Sequence, residues 1–326
     1  MECSRTPKHN ASDDLKVPYT YHELPGVEHD LGIYYGKRVL SSRTMSLVLG
    51  RNKARSMSYT IPYRIHHNHT PNRPVEVQAA PEQVEAFVRD GYLIFERFFD
   101  AAQTEQLRDA LDTVAAGEGH AMRSGKDWGG LYLRHLMEKH PAFLALFYQE
   151  PFLSLARATL GPQVRVLPLT GRIALPDTDG QATPWHIHQR VVPTPLPPFF
   201  SQPHVLDTLI YLDDVTDATG PLCIVPGSHL WTDREFPGGP HDDIENQAIV
   251  MVPAGSAILI HGNLWHRALP TTPGGSVRRM LILPYAHAWT QHPTFGERPK
   301  NGLMTPLFAS SDPVVREMLG IPDGIY

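Results

Sequence analysis

Apolar positions change their spacing along the chain, and the changes divide it into three stretches. Residues 1 to about 80 show no sustained period. Arg38, Arg43, Arg51, Lys53, Arg55 and Arg64 are spread through a Ser-rich run that ends in His66-His67-Asn68-His69. From Pro81 the order improves. Pro81 suits a first helical turn, Val84, Phe87 and Val88 mark one helical face, and Gly91 suits the stop. Tyr92 to Phe99 reads as a strand. Asp100 with Gln103 three residues on makes a capping-box start for a helix with Leu107, Leu111 and Val114 on its apolar face, ending at Gly117. Two short helices are predicted over Pro141 to Tyr148 and Pro151 to Leu160, the second closed by Gly161.

Beyond Gly161 the period shortens to that of strands between Pro/Gly loops. The candidates are Val164 to Leu169, Arg172 to Leu175, Val205 to Leu212, Ile249 to Val252, Ala257 to His261 and Val277 to Tyr285. Helices followed by closely spaced strands predict an α+β, mainly β domain whose β part is a sandwich or barrel. The expected organisation is an N-terminal extension over residues 1–80, the domain over 81–290, and a C-terminal tail packed on it over 291–326. Two long loops stand out as binding loops or plain surface: Gln189 to Pro203, rich in proline with Phe199 and Phe200, and Trp231 to Asp243.

Composition narrows the classes. At 326 residues, 41% hydrophobic and 19% charged, the chain carries enough apolar residues for a sizeable core. A net charge of −5 gives no basic footprint for DNA or RNA, so nucleic acid is not an expected partner. Met1 to Lys16 has no apolar signal core, and no run is long enough to span a bilayer. Cys3 and Cys223 are too few for a disulfide framework and read as reduced thiols, so a cytoplasmic protein is expected. His66, His67 and His69 have no acidic or Cys partner nearby and read as part of a polar arm, one that packs on the domain or joins a homo-oligomer.

The remaining histidines are better placed. In Thr183-Pro184-Trp185-His186-Ile187-His188-Gln189, residues two apart share one face of a strand, so His186 and His188 can bind one ion together while Ile187 faces away. His266 follows the apolar strand Ala257 to His261 by a short loop. Arg278 opens the last strand, and an arginine facing a barrel interior needs an anion, most naturally a carboxylate gripped by two donors. Three imidazoles and one inward arginine point to an open metal site with an acidic co-substrate beside it.

With these residues in place the chain resembles the phytanoyl-CoA dioxygenase-like iron(II)/2-oxoglutarate oxygenases from about Gln83 to Trp289. The matching segments are VEAFVRDGYLIFERFFD, TPWHIHQ, LIYLDDVTDATGPLCIVPGSHLW and AGSAILIHGNLWHRALPTTPGGSVRRMLILPYAHAW, in the family's order. The resemblance implies a double-stranded β-helix (jelly roll) with helices on one sheet. It implies Fe(II), 2-oxoglutarate and O2 as cofactor and co-substrates, and a small-molecule substrate. His186 and His266 take the positions of metal ligands, and Arg278 that of the arginine holding the far carboxylate of 2-oxoglutarate, with Arg279 as the alternative if the register is one residue off. Thr183 and Trp185 are expected to line the co-substrate pocket. Pro226-Gly227-Ser228-His229 is a family marker read as a structural turn.

One departure matters. The family has His-x-Asp where this chain has His186-x-His188, and three neutral imidazoles place no negative charge on the ion. Four readings stand open: a working three-histidine iron site; His188 turned away with water or halide in its place; a catalytically inactive binding or scaffold module; and a cupin-like dioxygenase without 2-oxoglutarate. Asp207, Asp213 and Asp214 are the acids that could replace the missing carboxylate; Asp213 and Asp214 read as solvated turn residues, and none of the three is assigned to the site.

Overall fold

The structure is a computed structural model that describes residues 39–40, 59–63, 73–118, 122–123, 129–176, 181–189, 203–290 and 302–321. In chain order the strands and helices are β1 (Val39–Leu40), β2 (Tyr59–Tyr63), β3 (Arg73–Val77), α1 (Pro81–Asp90), β4 (Tyr92–Phe95), α2 (Ala101–Glu118), β5 (Met122–Arg123) and β6 (Gly130–Leu133). There follow α3 (Phe152–Leu160), β7 (Val164–Val166), β8 (Thr170–Ala174), β9 (Val205–Tyr211), β10 (Leu222–Ile224), β11 (Ala248–Val250), β12 (Ala257–His261), β13 (His266–Ala268), β14 (Arg278–His287) and α4 (Pro313–Met318).

The helical signals act as local chemistry requires. Asp100 Oδ1 accepts the Gln103 N–H at 2.8 Å while Gln103 Oε1 accepts the Asp100 N–H at 3.0 Å, so both halves of the capping box form ahead of α2. Gly91 ends α1 at φ 80°, and a Cβ there would meet His229 Nδ1 at 2.4 Å, so both backbone and space demand glycine. Two expectations change. The strand after Gly91 stops at Phe95, because the chain turns through Arg97 at φ 46° to send Phe98 and Phe99 into an aromatic cluster with Phe152. The segment after His140 is a 3-10 helix, Pro141–Leu146, instead of an α-helix.

The larger sheet runs β4-β12-β9-β14-β8-β6-β5, with β7 also pairing β14, and the smaller runs β1-β11-β10-β13. All pairs are antiparallel except β1 with β11. β2 and β3 form a separate hairpin, so the stretch before residue 80 contains three short strands that sequence periodicity did not mark. Two-residue alternation sorts each strand of the larger sheet into two faces. Leu206 and Ile210 of β9, Leu259 of β12 and Leu281 and Leu283 of β14 pack against Leu107, Leu111, Phe152 and Leu155 of the helices. Leu209, Tyr211, Ile258, Ile260 and Met280 on the other face pack against Leu222, Ile224, Ala248 and Val250 of the smaller sheet. A third apolar cluster, with Trp185, Cys223, Val225 and Trp265, covers the outer face of the smaller sheet. The Cys223 thiol lies in it, pushed up to about 11 by burial, as an inert reduced thiol would be.

At the C-terminal end Asp312 caps α4 by accepting the Val314 N–H at 2.8 Å. Glu317 accepts from Arg157 of α3 and from the Val164 N–H, and Met318 is fully buried in the main core. Among the described residues no helix is long and apolar enough to cross a membrane.

Candidate metal centre

The free edge of β13 holds the His-x-His segment. His186 and His266 form an isolated bridge, His186 N–H donating to His266 O at 3.0 Å and His266 N–H to His186 O at 3.2 Å. Thr183 N–H donates to Ala268 O at 2.9 Å, and Ala268 N–H donates back to Thr183 Oγ1 at 2.6 Å. His188 N–H donates to Gly262 O at 2.7 Å. The segment is therefore a ragged addition to the smaller sheet instead of the full strand expected, and the two-residue alternation survives. His186 and His188 face inward, while Trp185 and Ile187 join the outer cluster.

One ring nitrogen of each of His186, His188 and His266 lies within 4.8 Å of the others. Every ring is held from behind. Nδ1 of His186 donates to Pro184 O at 2.8 Å and Nδ1 of His266 to Leu264 O at 2.7 Å. Nδ1 of His188 is bonded to the carboxylate of Asp207. In neutral imidazoles this places the lone pair on Nε2 in all three. Nε2 of His188 and Nε2 of His266 then face each other at 3.0 Å, an arrangement of two acceptors that a cation between them relieves. With metal–imidazole bonds of about 2.1 Å, two cis ligands of an octahedral ion stand about 3.0 Å apart. The donor set and its spacing fit a metal ion, and the backs of the rings carry the carbonyl and carboxylate acceptors that metal-binding histidines use.

Between the sheets lie two buried arginines, Arg278 and Arg172. β14 turns Arg278, Met280 and Ile282 to the interior and Arg279, Leu281 and Leu283 to the helices. Arg278 is 1% exposed, and its Nε and Nη2 have no hydrogen-bond partner among the described residues. These two atoms form the edge of the guanidinium that grips a carboxylate with two parallel bonds. Gly220 lies against it, where a Cβ would stand 3.0 Å from Nη1 and 2.6 Å from Leu269 O. A second buried arginine adjoins it. Cross-strand register sets Tyr132, Arg172, Met280 and Tyr211 in one row, with Arg278 two residues along β14 from Met280. Arg172 Nη2 donates to Gln181 O at 2.5 Å and Gly129 O at 3.3 Å, its Nε has no partner, and the guanidinium lies 5.3 Å over the Tyr132 ring. Burial, seconded by Arg172, pushes the Arg278 guanidinium down to about 10, against the pull of Tyr211 and Tyr132. It remains a cation near neutrality, and a dianion with one far carboxylate fits the donors it presents.

The structure corrects several expectations. Arg279 is not the inward arginine: it bonds Asp112 of α2 at 2.8 Å and Asp213 at 3.2 Å on the helix side. Trp185 does not line the pocket. It faces outward, donates from Nε1 to Asp242 O at 2.8 Å and stacks under Arg267 at 4.8 Å. Thr183 uses its hydroxyl to fasten β13. The Trp231 to Asp243 loop sits on the same outer face, with Trp231 and Phe236 against Trp265 at 5.2 and 4.6 Å. His229 is the turn residue expected, buried, with Nε2 donating to Val88 O at 2.9 Å. Phe199 and Phe200, most of the Pro-rich loop, and His66, His67 and His69 lie outside the described residues.

Asp213 and Asp214 hold Arg279 and the Ala254 N–H, as turn residues. Asp207, named among the candidate acids but given no role, behaves differently, and Arg172 is what sequence reasoning passed over. Asp207 projects from the middle of β9 into the interior, 4% exposed, against His188. Burial by itself pushes its carboxyl up, but His188, with His266 and His204 beyond, outweighs that and holds it below the usual carboxylate range. The readable signal was a lone charge inside an otherwise apolar strand, Asp207 in VLDTLIY and Arg172 in TGRIA.

The model of the phytanoyl-CoA dioxygenase (PhyH) family matches residues 87–280, well over half of the chain. The chain belongs to the PhyH family. Fe(II), 2-oxoglutarate and O2 are the cofactor set of PhyH enzymes. Solved structures share the PhyH fold. SnoK, a non-haem 2-oxoglutarate-dependent carbocyclase of nogalamycin biosynthesis, is 24% identical with a TM-score of 0.53, covering 64% of this chain and 85% of its own. SnoN, an epimerase of the same biosynthesis, is 19% identical, with a TM-score of 0.53 over 68% of this chain and 91% of its own. HygX from Streptomyces hygroscopicus, solved with nickel and 2-oxoglutarate bound, is 18% identical with a TM-score of 0.53, again over 68% and 91%. These neighbours carry out different reactions, so the PhyH fold leaves the reaction open.

Proposed function

We propose that this PhyH protein is a non-haem Fe(II)/2-oxoglutarate-dependent oxygenase acting on a small metabolite, with His186, His188 and His266 as its metal ligands. The reading includes a double-stranded β-helix, supported by β8, β14, β9 and β12 in one sheet facing the His186 segment, β13, β10 and β11 in the other. The observation that carries it is the close approach of the His188 and His266 Nε2 atoms, together with a buried arginine on the inward face of β14 with an unused two-donor edge.

When bound, the metal supplies oxygen activation coupled to oxidative decarboxylation of 2-oxoglutarate. The protein's own residues bind and orient. The three imidazoles would hold the ion together, and as only three donors they would leave it able to take further ligands. Arg278 holds the far carboxylate, with Arg172 beside it raising the local positive potential, so the 2-oxo end is aimed at the histidines. Met280, Leu209 and Ile258 keep the space between dry, which strengthens each of these electrostatic contacts. His188, with its side chain 20% exposed, marks the side from which a substrate enters, whereas His266 is buried.

A halide in place of His188 would require that ring to leave the cluster, and it is instead held there by Asp207. A cupin-like site without 2-oxoglutarate gives Arg278 no task. The test is addition of 2-oxoglutarate to the anaerobic Fe(II) protein. A metal-to-ligand charge-transfer band in the visible, followed on admitting O2 by succinate, is expected. Tight metal binding with no band and no succinate refutes the 2-oxoglutarate reading.

A further inference from the structure

We infer that Asp207 is a positioning residue for the metal centre, which supplies through His188 the negative charge that the family's aspartate ligand would have provided directly. The inference rests on the metal reading of the three histidines and goes beyond it.

The family's carboxylate ligand does two things: it occupies a coordination position and brings one negative charge. Here the two tasks are divided. His188 stands at the position, as a neutral donor. Asp207, 19 residues further along the chain, meets its Nδ1 from the neighbouring sheet. No residue other than His188 forms an ion pair with Asp207 among the described residues, and its carboxylate is almost wholly withdrawn from water. A buried carboxylate is costly unless bonded to a cation or a strong donor. The Nδ1–H of an imidazole whose Nε2 binds a metal is such a donor, because the bound cation polarises the ring toward the carboxylate. The pairing also fixes the ring's tautomer, placing the Nε2 lone pair toward His266. Nδ1 of His186 and Nδ1 of His266 donate to backbone carbonyls. At His188, the ligand that departs from the family, the acceptor of Nδ1 is a carboxylate.

The position of Asp207 follows from the register of the larger sheet. It lies opposite Ile260 of β12 and Pro284 of β14, on the inward face, at the end of the sheet near the histidines. A strand otherwise apolar at Val205, Leu206, Leu209 and Ile210 thus carries one acid at the one place where it reaches His188.

The test is anaerobic calorimetric titration of the metal-free protein with Fe(II), alongside the visible spectrum of the Co(II) form. Asp207→Asn keeps the size and an acceptor for Nδ1–H but removes the charge. It is expected to weaken Fe(II) binding by about 10- to 100-fold, the usual effect of losing such a partner, and to shift the Co(II) bands. In a His188→Ala background the same change should have no further effect on metal affinity, since Asp207 acts only through that ring. A merely structural aspartate would weaken binding in both backgrounds. Should Asp207→Asn fail to fold, Asp207→Glu, which keeps the charge and moves it, is expected to retain Fe(II) binding better than Asp207→Leu. Fe(II) affinity unchanged in Asp207→Asn, or equal losses in both backgrounds, overturns the inference. His186→Ala separates the two levels: if it too binds Fe(II) normally, the metal reading itself has failed.

Discussion

Replacing Arg278 by methionine is expected to damage function while improving the fold. The guanidinium is buried with Nε and Nη2 unpartnered, so the ligand-free protein already bears the desolvation of these donors. An unsatisfied buried polar group costs about 1–3 kcal/mol, and a methionine of similar length removes that burden while keeping the packing against Tyr211 and Met280. Arg278→Met should therefore stabilise the ligand-free protein by about 1–3 kcal/mol, a few degrees in Tm. Binding should move the other way. Two hydrogen bonds to a charged carboxylate, at about 1.5–3 kcal/mol each, amount to roughly 3–6 kcal/mol, or a rise of about 100- to 10,000-fold in the Kd for 2-oxoglutarate. Calorimetric titration of the Ni(II)-loaded protein with 2-oxoglutarate measures the second effect, and urea denaturation of the metal-free protein the first. A Kd within about threefold of wild type, less than 1 kcal/mol, refutes the carboxylate grip. Loss of stability in the ligand-free variant refutes the claim that the guanidinium is unsatisfied.

Arg279→Met separates the two adjacent arginines. It should leave 2-oxoglutarate affinity unchanged and cost about 1 kcal/mol in urea denaturation through loss of the Asp112 and Asp213 contacts, which are partly solvent-screened. Arg172→Met should raise the Kd for 2-oxoglutarate by a smaller factor than Arg278→Met, about 3- to 30-fold, since it acts through potential and packing; an unchanged Kd assigns Arg172 to holding Gln181 and Gly129 alone. His229 gives a pH dependence. Burial lowers its folded-state pKa, so the unfolded chain binds the proton more readily, and stability present above about pH 6.5 is lost as pH falls below it. Denaturation midpoints compared at neutral and mildly acid pH should fall for wild type and fall less for His229→Gln; equal slopes exclude His229 as a contributor.

Much of the site was legible because its signals are short-range. His186 and His188 announce themselves by two-residue spacing, and His266 by its place after an apolar strand. The helices α1 and α2 were readable from Pro81, Gly91, Asp100 and Gln103, whose effects act within one turn. The near-continuous apolar runs of β9, β12 and β14 are those of strands packed on both faces, as a layered α+β architecture requires.

Tertiary structure decided what depends on register and on pairs distant in sequence. Whether Arg278 or Arg279 points inward is a single-residue shift that local pattern leaves open; pairing of β14 with β8 and β9 settles it, since a slip would turn every side chain to the opposite face. Trp185 adjoins His186 in sequence yet faces away from the histidine cluster, by the same alternation that brings His186 and His188 together. Asp207 and Arg172 were lone charges in apolar strands, and their purpose came only when folding set His188 and Arg278 beside them. Sequence fixes the chemistry each residue can offer. Which charges meet in the water-poor interior is set by packing, because only there does an unpaired acid or guanidinium cost enough to require a partner.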